Sequence, residues 1–154
     1  MVHYVNGNLL DSDCQAICHQ VNCKGVMNSG VAKAIRTKWP EVYSQYLRAY
    51  YNVNGEFEEL LGEIQEVEIS PCQSVINMFA QASYGYDGRR YTSYDAFWSC
   101  LNYIKTKAKP NSTIGFPDHI GCCRGGANWN IIKTMIEEVL GEDYEVYIYK
   151  LEEN

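Results

Sequence analysis

Short apolar runs alternate along this chain with longer segments whose apolar residues recur at helical spacing, and that alternation constrains the fold more than any single motif. VHYV (2–5) reads as a strand closed by the turn NGN. AICHQV (16–21) is apolar enough for a strand buried on both faces. The glycine-containing segment KGVMNSG (24–30) leads into a helix predicted from Ser29 to Lys38. Pro40 opens a second helix in its first turn, with Val42, Tyr46 and Tyr50 on one stripe. EIQEVEI (63–69) alternates polar and apolar residues, as a strand with one solvated face does, and PCQSVINMF (71–79) is a further strand. After the tyrosine- and glycine-rich ASYGYDGRRYT (82–92), Ser93 caps a helix in which Phe97, Leu101 and Ile104 share a face. STIGFP (112–117) is a buried strand and HIGCCRGGANW (119–129) the loop that follows it. The helix from Asn128 to Leu140 sets Ile132, Met135, Ile136 and Val139 on one side. YEVYIYKL (144–151) is the last strand.

Strands separated by helices predict an α/β fold, with a sheet that is parallel in large part and covered on both faces. Ligands in such folds sit beyond the carboxyl ends of the strands, where both glycine loops fall. At 154 residues, with no internal repeat, low-complexity tract or Pro/Gly/Ser-rich linker, the expectation is one domain over 1–154. A net charge of −6 argues against general nucleic-acid or membrane-surface binding, which needs a basic face, while leaving room for a local phosphate pocket. The seven cysteines are odd in number and lie behind no signal-peptide pattern, so reduced thiols in a cytoplasmic protein are expected. Cys18 and Cys23 have four residues between them, but His3, His19 and His119 form no second pair near them, so no metal or other cofactor is expected. No apolar run reaches the length of a membrane span.

Two segments share one design, strand–glycine loop–helix: KGVMNSG, and HIGCCRGGANW with Gly121, Gly125, Gly126 and Arg124. Glycines let backbone approach a ligand, and the free N–H groups opening a helix attract anions. Neither carries a Walker lysine–serine pair. Two such loops at strand ends suit one diphosphate held from both sides, or else are ordinary tight turns.

The order GNLL, HQVNCKGVMNSGVAKAI, INMFAQASYGYDGRRYTSYDA and PDHIGCCRGGANW resembles the macrodomain family from Tyr4 to Leu151. Its nearest likeness is to the branch holding the yeast-type ADP-ribose 1''-phosphate phosphatase and the terminal ADP-ribose glycohydrolases. The resemblance implies a three-layer α/β/α sandwich with a central mixed sheet, and ADP-ribose, a derivative of it or an ADP-ribosylated protein as the partner. It implies that Asn8 and Leu9 meet the adenine, in place of an aspartate, and that Tyr149 and Leu151 line the same pocket. Asn22 falls near the distal ribose. Met27, Asn28, Ser29, Gly30 and Val31 form the first diphosphate loop; Gly121, Cys122, Cys123, Arg124, Gly125 and Gly126 form the second. Phe79, expected to contact the ADP-ribose, and Gly125 stand where the glycohydrolases have a lysine and an aspartate, and neither can supply that chemistry. His19 is the expected acid or base for a phosphate ester, with Asp87, and also Arg90, completing the site if the tyrosine-rich loop closes. Tyr84 and Tyr86 pack on the ribose or shield the core edge. The expected activity is binding of ADP-ribose with hydrolysis of a 1''-substituted form. The alternatives are a binding module without turnover, and a glycohydrolase or deacylase with other groups.

Overall fold

A computed structural model describes residues 1–152. Six strands form one sheet: β1 (Val2–Asn6), β2 (Ala16–Asn22), β3 (Ile64–Ser70), β4 (Gln73–Gln81), β5 (Thr113–Pro117) and β6 (Glu145–Lys150). Their order across the sheet is β1-β6-β5-β2-β4-β3. Every neighbouring pair is parallel except β3 with β4, so the sheet is mixed and the antiparallel strand lies at its edge. The exception has a local cause. Ser70 pairs with Gln73, leaving Pro71 and Cys72 as a two-residue turn, and a hairpin needs no crossover helix. The strand expected over 71–79 therefore begins two residues later.

Four helices cover the sheet: α1 (Gly30–Lys38), α2 (Pro40–Asn52), α3 (Tyr94–Lys107) and α4 (Trp129–Leu140). Pro40 starts α2, and the Ser93 hydroxyl caps α3 by accepting from the Ala96 amide. Burial divides the molecule into three layers. Phe97, Leu101 and Ile104 of α3 and Ile132 and Ile136 of α4 pack on Cys18, Met78, Phe116 and Ile148 of the sheet. On the opposite face, Ile35 and Val42 meet Ile17 and Val75, while Tyr46 stacks on Phe79 with ring centroids 5.7 Å apart. Alternate residues of β2, β4 and β5 feed both faces, which is why these strands read as nearly continuous apolar runs.

Two single-turn 3-10 helices, Leu9–Asp11 and Phe57–Glu59, fall in stretches to which the sequence assigns no element. Three residues are too few to show a period. All seven cysteines are unpaired. Among the described residues, no helix is long and apolar enough to cross a membrane.

Candidate functional site

The strand order sets the carboxyl ends of β2 and β5 side by side. From β2 the chain leaves toward the α1–α2 layer, and from β5 toward the α3–α4 layer. Adjacent strands whose connections diverge leave a crevice between them. A cleft of about 280 Å³ fills it.

One wall is the chain from Val26 to Ala32. Gly30 begins α1 at φ +58°, and nothing lies within 4 Å of where its Cβ would stand. Ser29 makes no side-chain bond across the first turn of α1, so that turn is uncapped and its amide end adjoins the cleft. The facing wall is Gly121, Cys123, Arg124 and Gly125. Gly125 is required by packing: a Cβ there would collide with Gly121 O and Thr92 Oγ1.

The rim comes from the tyrosine-rich loop, with Tyr84, Gly85 and Tyr86 lining the cleft. The Arg124 guanidinium sits 4.1 Å from the Tyr86 ring centroid, joining rim and wall. This loop is bolted to the facing wall. The amides of Tyr91 and Thr92 donate to Gly125 O at 2.8 and 3.0 Å, and Thr92 Oγ1 donates to Gly121 O at 2.8 Å.

His19 lies in the floor at 1 % exposure. Its Nε2 is 2.5 Å from Asn77 Oδ1. Asn77 Nδ2 donates to Gln65 Oε1 at 3.0 Å, and Gln65 Nε2 donates to Gln45 O of α2 at 2.8 Å. His19, Asn77 and Gln65 are register partners across β2, β4 and β3, so the three form a polar row, buried at His19 and Asn77 and half-buried at Gln65. An amide oxygen only accepts, so Nε2 carries the imidazole hydrogen and Nδ1 is a bare acceptor. Nδ1 and the neighbouring Gln20 Oε1 are both buried without a partner. Burial lowers the His19 pKa from 6.5 to about 4, against the opposing pull of the Asn77 bond. The ring is neutral at pH 7.

Asn22 also reaches the cleft, with its side chain engaged inside the first loop. Its Nδ2 donates to Val26 O at 2.9 Å, and its Oδ1 accepts from Lys24 N at 2.9 Å and from the Tyr46 hydroxyl at 2.7 Å. The cleft thus gathers His19, Asn22, Met27, Asn28, Ser29, Gly30 and Val31 with Gly121, Cys123, Arg124 and Gly125.

Other expected positions fall outside its lining. Asn8 sits in a separate shallow hollow of about 420 Å³ beside α1, which meets the cleft at Gly30. Its Oδ1 caps the Leu9–Asp11 turn by accepting from Leu10 N at 3.0 Å. Leu9 is core, packed toward Gly115, and Phe79 is core beneath Tyr46. The Cys122 thiol donates to Ile120 O, and burial raises its pKa to about 11. Gly126 is packed on the backbone of Arg89 and Arg90. Tyr149 packs against the core cluster of Leu9 and Leu10, and Leu151 is exposed beyond β6. Asp87 is exposed, bonded to the Tyr91 hydroxyl at 2.8 Å and paired with Arg89 at 3.2 Å; the Tyr91 bond, first among its causes, lowers its pKa. Arg90 lies 4.5 Å over the Tyr94 ring.

Sequence reasoning passed over Asp118 and His119, which line the cleft just after β5. His119 holds φ +59°, bonds Asp118 Oδ2 through Nδ1 at 2.7 Å and stacks on Trp129 at 5.0 Å. Their position between a strand end and the first glycine of the second loop was a usable signal. Among the described residues, no three His, Cys, Asp or Glu side chains gather to hold a metal.

No protein-family model matches the sequence. The chain is 26% identical, over its whole length, to a DNA ADP-ribosyl glycohydrolase of Thermus aquaticus, and spans 42% of that protein. The solved macrodomain of Thermus aquaticus DarG superposes with a TM-score of 0.78 at 24% identity, covering 97% of each chain. Thermosipho africanus DarTG in complex with ADP-ribose superposes with a TM-score of 0.79 at 21% identity, covering 97% of this chain and 41% of that one. With a mixed six-stranded sheet between two helical layers, this chain has the macrodomain fold.

Proposed function

We propose that this chain binds an ADP-ribose unit and hydrolyses a substituent on its 1''-carbon, ADP-ribose 1''-phosphate first. The observation that carries the binding half is the pairing of two anion-suited walls. The uncapped first turn of α1 faces the second glycine loop across adjacent strand ends, offering a diphosphate backbone donors from two sides. The hollow at Asn8 meets the cleft at Gly30, leaving room for an adenosine on one side of the diphosphate and a second ribose on the other. The ADP-ribose complex of the Thermosipho africanus protein supports the same ligand.

The hydrolytic half rests on His19. A neutral imidazole with a bare Nδ1 takes a proton from an attacking water rather than giving one to the leaving group. Phe79 and Gly125 leave no lysine or acid where covalent glycohydrolase chemistry would need them, and Asp87 is turned to its own loop. A second reading, recognition without turnover, is favoured by the near-complete burial of His19. The name of the Thermus aquaticus relative supports a third: release of ADP-ribose from a modified macromolecule.

Titration calorimetry should give saturable binding of ADP-ribose with AMP much weaker; equal affinity for the two, or none, refutes the binding half. Phosphate release from ADP-ribose 1''-phosphate should fall roughly 10²–10⁴-fold in His19→Ala, with ADP-ribose affinity little changed. Full activity in that variant makes His19 structural. No activity in either protein, with binding intact, selects the second reading. Release of ADP-ribose from modified DNA or modified protein selects the third.

A further inference from the structure

The first loop is held from below by a residue that never reaches the cleft. Tyr46 of α2 is fully buried, and its hydroxyl meets the loop at four points. It accepts from Gly25 N at 3.0 Å and from Val26 N at 3.1 Å. Its hydrogen points to the paired oxygens of Asn22, Oδ1 and the carbonyl, each at 2.7 Å. One phenol thus serves two loop donors and shares its single hydrogen between two acceptors, and a donor left unsatisfied away from water costs more than the bond itself returns. Burial raises the Tyr46 pKa, so the group stays a neutral donor and acceptor at any working pH.

The ring is as constrained as the hydroxyl. It stacks on Phe79 and lies near Tyr43, with centroids 5.7 and 6.2 Å away. Gly25, at φ +77°, is pressed against the neighbouring Tyr50, whose ring would stand 3.0 Å from a Cβ. The base of the loop is therefore pinned to α2, while at its cleft end Ser29 makes no side-chain cap bond, nothing stands within 4 Å of a Gly30 Cβ, and Asn28 Oδ1 accepts from Arg36 Nη1 at 3.0 Å.

We propose that Tyr46 is a positioning residue for the cleft: its hydroxyl presets the 22–26 turn, and through it the placement of Asn22 and of the uncapped start of α1. This rests on the ADP-ribose reading of the cleft. A preset loop binds without first being ordered, and that ordering is part of what association ordinarily costs.

The test compares Tyr46→Phe with Tyr144→Phe. Tyr144 is also buried, and its hydroxyl donates to Lys105 O at 2.7 Å at the opposite end of the strands. Both variants lose a buried phenol bond; only one touches the loop. In ADP-ribose titrations Tyr46→Phe should lose roughly ten-fold or more in affinity, the scale of one unsatisfied buried donor, while Tyr144→Phe stays within about two-fold of wild type. Equal affinities in wild type and Tyr46→Phe overturn the proposal, as do equal losses in both variants. Amide hydrogen exchange on the ligand-free wild type adds a measurement that needs no variant to fold. Gly25 and Val26 should be protected like the strands, and exchange at open-loop rates refutes the hold of Tyr46 on the turn. If wild type fails to bind ADP-ribose, the ligand reading falls and the exchange result alone decides Tyr46.

Discussion

Acid should unfold this protein partly through one imidazole. His19 is almost wholly buried, so little solvent screening reduces the effect, and its pKa drops from 6.5 to about 4. Between those values the unfolded chain takes up a proton that the folded chain refuses. The unfolded state then binds more protons, so stability rises with pH across the window and is lost as pH falls through it. At about 1.4 kcal/mol per pH unit, the full effect is roughly 3 kcal/mol, reached below about pH 4. At about pH 4.5 most of it, roughly 2.5 kcal/mol, is already gone. That is a large part of the roughly 5–15 kcal/mol that holds a typical domain together. The variant to compare is His19→Gln, which cannot titrate but keeps an amide N–H for Asn77 Oδ1. Urea unfolding of both proteins at about pH 7 and about pH 4.5 gives four free energies. Other titrating groups, such as Glu145 beside His3, contribute equally to both and cancel. Wild type should lose roughly 2.5 kcal/mol more than the variant on acidification. Equal losses would mean that the imidazole is solvated, and would refute its placement in a closed floor.

Gly125→Val should both abolish ADP-ribose binding and lower the melting temperature, because its Cβ collides with Gly121 O and Thr92 Oγ1. Thermal unfolding unchanged from wild type would show that the second loop is looser than its packing implies. Asn8→Asp keeps an oxygen for Leu10 N and should retain ADP-ribose affinity, whereas Asn8→Leu should lose about 1 kcal/mol of stability with the cap, and affinity with it. Unchanged affinity in the leucine variant would take the base away from the Asn8 hollow.

The elements of this chain are written in local periods, and a reader of the sequence can recover them. Val67 flanked by Glu66 and Glu68 announces a strand with one wet face. Pro40 and Ser93 mark helix starts, and Ile132, Ile136 and Val139 mark the buried side of α4. Each signal spans a few residues, because backbone geometry repeats every two or 3.6 of them. The two glycine loops are legible for the same reason, since glycine is favoured where φ is positive, as at Gly30 and Gly121.

What the period cannot carry is who meets whom across the sheet. The imidazole of His19 finds Asn77, fifty-eight positions away, only because β2 and β4 pair in one register. The same pairing buries its other nitrogen and sets its charge. Asp87, chemically suited to a site, is turned outward by bonds to Tyr91 and Arg89. Asp118 and His119 are brought to the cleft by the end of β5. Tyr46 reads in sequence as one more apolar residue on a helical stripe. Only the docking of α2 beneath the first loop makes its hydroxyl the partner of Gly25, Val26 and Asn22. Helices and turns follow from neighbours in the chain, whereas burial, protonation and the alignment of donors depend on distant segments packed together, and that is where this site was decided.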